Sequence, residues 1–209
     1  MKKNINYVLW DFGGVLTKSP IRNFLEYEKK NNLLPGTIIR INSHNKFENA
    51  WAKLERNEIN KKEFEKLFLE EANALNYNCK IDIEKIFKCL DVKLNTKMVN
   101  LFFKVKKKLP CACLTNNISE NSCSVANKAF EQFKDNFSHT FESSKLGIRK
   151  PEIEIYKYVI KKLKVNPENI LFIDDLGINL KPAKIIGMKT YKMLNYNSTK
   201  QYLFNLLDL

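Results

Sequence analysis

The spacing of hydrophobic residues divides the chain into a strand-like start, a helical middle and an alternating remainder. Residues 5–10 (INYVLW) form a short apolar run that predicts a buried strand. Residues 20–95 contain no convincing strand, and their hydrophobic positions recur every three or four residues, as in amphipathic helices. From about residue 96, predicted helices alternate with short apolar runs, a pattern that predicts βαβ units and a parallel sheet.

The predicted elements follow this division. In the middle segment, helices are predicted at Ile21–Asn31, around Phe47, Trp51 and Leu54, around Phe64, Leu67, Phe68 and Ala72, and around Ile81, Ile83, Ile86 and Leu90. In the last segment, strands are predicted at 110–115, 137–141, 170–173 and 190–193, and helices at 98–107, near 119–134, at 151–163 and at 180–186. We therefore predict a doubly wound, Rossmann-type α/β core of residues 1–17 and 96–209, with a helical cap of residues 18–95 inserted after the first strand.

The composition is that of a globular protein with an unusual charge. The chain has 209 residues and a net charge of +13, but only four of its 36 basic residues are arginines. The lysines are spread along the chain, and the densest run, Lys104–Lys108, closes a predicted helix, where cations favour the helix dipole. We therefore expect no nucleic-acid partner, although the positive field would gather anionic substrates.

Other sequence features bound the location and the redox chemistry. No apolar run is long enough to cross a bilayer and the N-terminus does not resemble a signal peptide, so we expect a cytoplasmic protein with no membrane partner. Five cysteines, an odd number, argue against a disulfide framework. Cys111 and Cys113 are predicted core residues, and Cys79, Cys89 and Cys123 lack metal-ligand spacing. No sequence feature specifies an oligomeric state.

The first predicted strand ends in a carboxylate, Asp11, followed by glycines at positions 13 and 14. Three further polar groups follow predicted strands or lie in the next loops: Thr115-Asn116, Lys150 and Asp174-Asp175. Each has a simpler interpretation as a turn, a helix cap, a solvated loop or a surface pair. However, the carboxyl ends of parallel strands meet at one edge of a sheet, where ligands bind.

Together these residue types satisfy the chemical requirements of phosphoryl transfer through an aspartyl-phosphate. A carboxylate is a competent nucleophile, hydroxyl and amide groups bind phosphoryl oxygens, and a lysine balances their charge. A pair of carboxylates supplies the hard oxygen ligands that Mg²⁺ prefers. We therefore predict Mg²⁺ as the cofactor.

Four stretches resemble the motifs of the haloacid dehalogenase (HAD) superfamily of aspartate-nucleophile hydrolases. They are residues 11–16 (DFGGVL), 114–116 (LTN), 147–151 (GIRKP) and 173–188, which begins IDDLGINLKPA. Within the superfamily, the chain is most similar to the phosphatase domain of soluble epoxide hydrolases and to related small sugar-phosphate phosphatases. Residues 51–59, which include Leu54-Glu55-Arg56, resemble the cap of the same group. The resemblance extends over nearly the whole length.

The resemblance implies roles for the acidic residues. Asp11 would be the nucleophile and a magnesium ligand, with the main-chain carbonyl of Gly13 and the carboxylate of Asp175 as further ligands. Asp174 would act through water or as an outer-shell partner of the metal, and Asn179 would hold the acidic loop.

The resemblance also implies the phosphate site and the reaction. Thr115 and Asn116 would bind the transferring phosphoryl group, while Lys150 would pair with both the phosphate and Asp11. The implied function is that of a magnesium-dependent phosphomonoesterase, which acts on a small phosphorylated metabolite such as a sugar phosphate.

One position departs from the superfamily pattern. Most phosphatases of the superfamily have a second aspartate where this chain has Gly13, and that aspartate provides acid-base catalysis, a function worth about 10²–10⁴-fold in rate. An alternative is therefore a weakened or inactive module that binds phosphate and magnesium, and another is a 2-haloacid dehalogenase, which needs no metal. His44 in the predicted cap is either a substitute acid-base or an ordinary surface histidine.

Overall fold

Five parallel strands form a single sheet at the centre of the computed structural model, which describes residues 4–77, 80–119, 121 and 128–209. The strands are β1 (Tyr7–Trp10), β2 (Cys111–Thr115), β3 (His139–Glu142), β4 (Ile170–Asp174) and β5 (Lys189–Lys192). Their order is β3-β2-β1-β4-β5. This order places β1 in the middle and confirms the predicted doubly wound parallel sheet.

The three central strands are buried at every residue, whereas both edge strands are partly exposed. A parallel sheet covered by helices on both faces favours continuous apolar strands rather than alternating ones. Within β1, Val8 and Trp10 pack in the hydrophobic cluster on one face, while Tyr7 and Leu9 pack in the cluster on the other. This double burial explains why the central strands are readable in the sequence.

Between Thr17 and Leu94 the described residues form helices and no strand longer than a single bridge. The helices are α1 (Ile21–Lys30), α2 (Thr37–Ser43), α3 (Ala50–Glu55), α4 (Lys61–Ala74) and α5 (Ile83–Lys88). They share a hydrophobic cluster of their own, in which the ring of Trp51 lies 5.4 Å from that of Phe64. We call this segment the helical insertion; its assignment as a cap with boundaries at residues 18 and 95 stays a prediction.

The chain enters and leaves the helical insertion at adjacent positions. An antiparallel bridge joins Thr17 to Leu94, and the backbone N–H of Lys18 donates to the carbonyl of Lys93 at 2.9 Å. The insertion is thus connected to the sheet through one short two-stranded crossing.

The remaining helices cover the two faces of the sheet. They are α6 (Thr96–Lys106), α7 (Lys128–Glu131), α8 (Ser143–Leu146), α9 (Ile153–Leu163), α10 (Gly177–Ile185) and α11 (Tyr196–Leu207). Of the helix predicted near 119–134, residues 119, 121 and 128–134 lie within the described residues, and the last of these ranges contains α7. Cys89, Cys111 and Cys113 are buried free thiols, whereas Cys79 and Cys123 lie outside the described residues.

Some local predictions were wrong. Phe47 was expected in a helix with Trp51, but α3 begins only at Ala50, after the side chain of Asn49 caps it by accepting the N–H of Ala52. Phe47 therefore lies before the helix and is 44% exposed. The helices α2, α8 and α11 were not predicted, because two are very short and only two residues of α11 are buried.

No helix among the described residues combines the length and the hydrophobicity needed to cross a membrane.

Candidate active site

The register of the sheet gathers the strand-end residues at one edge. Trp10 is opposite both Cys113 and Ile173, and the N–H of Asp11 donates to the carbonyl of Ile173 at 2.8 Å. Asp11 therefore lies beside the end of β4, where the strand order changes direction. One cavity of about 320 Å³ opens there, and its lining includes seven of the predicted site residues: Asp11, Gly13, Thr115, Asn116, Lys150, Asp175 and Asn179.

Lys150 is buried between two carboxylates. Its Nζ lies 2.8 Å from Oδ1 of Asp11 and 2.8 Å from Oδ2 of Asp174, and the residue is only 1% exposed. Burial acts to lower the pKa of Lys150, but the two negative charges outweigh it and raise this pKa above its ordinary value. Lys150 is therefore a fixed cation at the floor of the cavity.

The carboxylate of Asp174 is saturated with donors from the protein. Besides Lys150, it accepts from the N–H of Leu176 at 2.8 Å and from Asn179 Nδ2 at 3.1 Å at each of its oxygens. Asp174 is completely buried, below the cavity. This environment makes it a structural anchor for Lys150 and for the loop that begins at Asp175.

The other two carboxylates of the cluster keep oxygen atoms available. Oδ1 of Asp11 accepts from the N–H of Phe12 at 2.7 Å and from Lys150, but Oδ2 accepts no hydrogen bond from any described residue. The carboxylate of Asp175 likewise accepts none from the side chain or backbone of any other described residue. These free oxygens face a cavity of sufficient size for a small ligand.

Burial, together with neighbouring negative charge, raises the pKa values of both residues. Burial raises the pKa of Asp11 well above its usual value, against the attraction of Lys150, and the charges of Asp174 and Asp175 add to the rise. Burial, followed by the charge of Asp174, raises the pKa of Asp175 to about 6. A divalent cation would relieve this repulsion.

The donor set fits a hard divalent metal ion. Oxygens of Asp11, Asp174 and Asp175 all lie within 4.8 Å of one another. The backbone also makes room for this approach: Gly14 has a φ of +75°, and a Cβ added there would lie 2.3 Å from Oδ2 of Asp175. A glycine is therefore required at position 14 for Asp175 to reach the cluster.

Asn116 holds the backbone of Lys150. Its Nδ2 donates to the carbonyl of Lys150 at 2.9 Å, and its Oδ1 accepts the N–H of Lys150 at 2.9 Å. Lys150 therefore uses one N–H of Asn116 Nδ2 and the Oδ1 acceptor, whereas the second N–H of Nδ2 and the backbone remain for a phosphoryl ligand. Neighbouring Thr115 lines the same cavity at the end of β2.

The helical insertion supplies the opposite wall of the cavity. Its contribution includes Lys46 and Glu55, and a second, largely apolar cavity of about 410 Å³ continues from Gly13 and Thr115 towards Trp51. Oε2 of Glu55 accepts from Nε of Arg149 at 2.6 Å, a contact that no sequence pattern indicated.

His44 is exposed and lines neither cavity, so it is not placed to act as a substitute acid-base.

The parallel sheet and the aspartate-lysine cluster at its centre define a hydrolase of the HAD-like class. Residues 5–187 match the family model described as haloacid dehalogenase-like hydrolase, and the chain belongs to this family. The predicted resemblance is therefore confirmed.

Three comparisons illustrate this membership. Bifunctional epoxide hydrolase 2 of Rattus norvegicus is 28% identical over 193 residues, which is 87% of this chain and 35% of that protein. A HAD-family enzyme of Bacteroides thetaiotaomicron, solved in complex with magnesium and inorganic phosphate, shows 25% identity and a TM-score of 0.64 over 91% of this chain and 95% of that one. The L-2-haloacid dehalogenase of Xanthobacter autotrophicus shares the fold, with 17% identity and a TM-score of 0.63 over 95% and 82% of the two chains.

The chain spans only 18% to 35% of the length of the mammalian curated relatives it matches. The activities of those longer proteins therefore do not transfer to it as wholes.

Proposed function

We propose that this hydrolase is a magnesium-dependent phosphomonoesterase in which Asp11 is the phosphoryl-accepting nucleophile. The observation that carries the proposal is that the three clustered carboxylates differ in their hydrogen bonding. Asp174 is saturated by the protein, whereas Asp11 and Asp175 retain free oxygens at the cavity. Carboxylate oxygens that lack protein donors at a cavity remain available to a metal ion or a ligand.

The first step would transfer the phosphoryl group to Asp11. A carboxylate oxygen of Asp11 attacks phosphorus, the bond between phosphorus and the ester oxygen breaks, and the leaving group takes a proton from solvent water. Lys150 orients Asp11 through its 2.8 Å contact and offsets negative charge on the phosphoryl oxygens. Thr115 and Asn116 are the proposed donors to those oxygens. Attack of water on phosphorus then releases inorganic phosphate and restores the carboxylate of Asp11.

The proposed metal site consists of the carboxylates of Asp11 and Asp175 and the main-chain carbonyl of Gly13. When bound, Mg²⁺ would neutralise charge on the substrate phosphate and thereby permit a carboxylate to approach it. Asp174 and Asn179 would support the site from outside, since their contacts with each other and with Lys150 fix the acidic loop. The neighbour from Bacteroides thetaiotaomicron, which binds magnesium and phosphate, supports this assignment.

The proposed substrate is a small phosphorylated metabolite, for example a sugar phosphate, with residues 18–95 acting as the cap over the cleft. Gly13 provides no side chain to protonate the leaving group, so esters of good leaving groups, such as anomeric sugar phosphates, would be hydrolysed fastest.

Gly13 also favours a second candidate function. A HAD-like module that binds magnesium and phosphoryl ligands but turns them over slowly, or not at all, would have the same free carboxylates. A persistent phosphoryl group on Asp11 after exposure to acetyl phosphate would favour this alternative.

The test is phosphate release from a panel of sugar phosphates with and without Mg²⁺. We expect release to require Mg²⁺, to disappear in Asp11→Asn and to persist in Asp91→Asn, which alters an exposed aspartate outside the cavity. Equal activity in wild type and Asp11→Asn would refute the proposal.

A further inference from the structure

Four charged residues connect the helical insertion to the loop that carries Lys150. At the end of α3, Glu55 pairs with Arg149 at 2.6 Å, and Nη1 of Arg56 pairs with Oε1 of Glu152 at 2.8 Å. We call these residues the ion-pair clasp. The side chains of Glu55 and Arg149 are each 12% exposed, so solvent screens their attraction weakly.

The two ion pairs of the clasp contact the loop on both sides of Lys150. Arg149 immediately precedes Lys150, and Glu152 follows two positions later. The loop is also closed on itself, because Oε2 of Glu152 accepts the N–H of Arg149 at 3.1 Å. Beneath it, Asn116 fixes the N–H and carbonyl of Lys150. The backbone of Lys150 is therefore held from the sheet by one residue and from the insertion by two ion pairs.

Each side of the clasp is also secured within the insertion. Oε1 of Glu55 accepts from Nε1 of Trp51 at 3.1 Å, and Nη1 of Arg149 donates to the carbonyl of Lys46 at 3.0 Å. A movement of α3 would therefore be transmitted to Arg149, and from there to the position of the Lys150 ammonium group.

We propose that Glu55 and Arg149 are positioning residues for Lys150, so that the placement of the helical insertion sets the alignment of the cation with Asp11. The inference rests on the proposed function for its kinetic consequences, but its structural content is independent of that function. Removing the charge of one partner leaves the other sheltered and unpaired, which favours rearrangement of the loop. A small misalignment of a catalytic group lowers the rate steeply.

The chain offers a matched control for this effect. Glu58 pairs with the same Arg56, at 2.6 Å, but lies within the insertion, does not contact the Lys150 loop and is 46% exposed. Glu58→Gln therefore removes a more exposed ion pair of the same length while leaving the Glu55–Arg149 contact in place.

The experiment compares Glu55→Gln, Arg149→Gln, the double variant and Glu58→Gln. Glutamine at position 55 keeps one acceptor oxygen for Trp51 and replaces the other, which accepts from Arg149, by an uncharged NH2 group. We expect faster amide hydrogen exchange at Arg149 and Lys150 in both single variants, and a fall in kcat of at least about 10-fold with little change in KM. The double variant should have a kcat no lower than that of either single variant. The charge reversal Glu55→Arg with Arg149→Glu should restore part of kcat. Glu58→Gln should have the kcat and the exchange rates of wild type.

Unchanged exchange at Arg149 and Lys150 in both single variants would overturn the proposal, as would equal effects of Glu55→Gln and Glu58→Gln. A loss of thermal stability with unchanged kcat would reduce the clasp to a structural contact and would also overturn it. If wild type releases no phosphate from any substrate, the proposed function fails, and the exchange measurement alone decides whether the clasp positions Lys150.

Discussion

Two adjacent glycines in the site have opposite constraints. Gly14 adopts a left-handed φ of +75° and lies against Asp175, so a side chain there would displace a proposed metal ligand. Gly13 has no such φ, and a Cβ added to it would meet no atom within 4 Å. The structure therefore has space at position 13 for the acid-base residue that the sequence lacks.

This space predicts a gain of activity in Gly13→Asp. A carboxylate there would be able to protonate the leaving group and activate water, and we expect kcat for an alkyl phosphate to rise, by up to about 10²–10⁴-fold. The comparison variant is Gly13→Asn, which has the same size but cannot exchange a proton. A Gly13→Asp variant that folds and binds Mg²⁺ but gains no more than Gly13→Asn would contradict the assigned role of this position.

A second prediction at this scale concerns the burial of Lys150. Lys150→Met removes the cation between Asp11 and Asp174 and leaves two buried carboxylates uncompensated, so the free energy of unfolding should fall by about 3–5 kcal/mol. Lys85→Met is the control, because Lys85 pairs with Asp82 at 3.1 Å while the two side chains are 59% and 43% exposed. Urea denaturation should show a much smaller change for this surface pair, and similar losses in both variants would contradict the account.

At the scale of elements, the predictability of the fold follows burial. The strands β1, β2 and β4 are apolar throughout because both faces of the sheet are covered, and their ends could therefore be located from the sequence. The short helix α2 could not, because its N-terminus is capped by a distant side chain. Glu28 of α1 accepts the N–H groups of Gly36 and Ile38, at 2.6 and 2.8 Å.

The site residues that follow buried strands could likewise be predicted from the sequence, whereas the contacts between loops could not. Asp11, Thr115 and Asp174-Asp175 follow apolar strands, so topology alone predicts their proximity. The pairings Asn116–Lys150 and Glu55–Arg149 join positions 34 and 94 residues apart, with no periodic signal between them. Such contacts depend on how loops pack in three dimensions, which local sequence patterns do not encode.

The contact between α3 and α4 carries a pH-dependent prediction. Oε1 of Glu71 accepts the N–H of Ala50 at 2.7 Å, whereas Oε2 is buried without a hydrogen-bond partner among the described residues. Burial raises the pKa of Glu71 above its ordinary value, against the effect of the Ala50 donor. The folded state therefore retains this proton to higher pH than the unfolded chain, and its stability falls as pH rises from the ordinary pKa through the raised one.

Glu71→Gln removes this charge, so the variant should not lose stability as pH rises through the raised pKa of Glu71. The melting temperature of the variant minus that of wild type should be more positive at pH 7 than at pH 4. The neighbouring Glu70→Gln, on the exposed side of the same helix, should show no such difference. If the melting temperature of Glu71→Gln differs from that of wild type by the same amount at both pH values, the charge of Glu71 does not destabilise the folded state.

On the scale of the whole molecule, a helical insertion with its own hydrophobic cluster faces a sheet edge that carries the side chains of the proposed site. The two parts are connected through the chain crossing at Thr17 and Leu94 and through the ion-pair clasp, and the cleft lies between them. The sheet edge supplies the proposed chemistry, and the insertion supplies the wall that a leaving group would contact.

The net charge of +13 predicts a dependence on ionic strength. A positive field attracts anionic phosphate esters, and raising the ionic strength from about 10 mM to about 150 mM shortens the Debye length from about 30 to about 8 Å. We expect kcat/KM to fall by roughly 10-fold over this range while kcat stays nearly constant. A salt-independent kcat/KM would show that the charge has no part in substrate capture.

The central claim is that Asp11 accepts a phosphoryl group with magnesium present. Its most direct test is rapid acid quenching of the protein with acetyl phosphate, followed by mass spectrometry of the peptide that contains Asp11. The account predicts the mass of one phosphoryl group on Asp11 at early quench times in the presence of Mg²⁺ and its loss once acetyl phosphate is consumed, no adduct after metal chelation, and none in Asp11→Asn. Phosphate release with no adduct on Asp11 at any quench time, or an adduct that forms equally in Asp11→Asn, would contradict it.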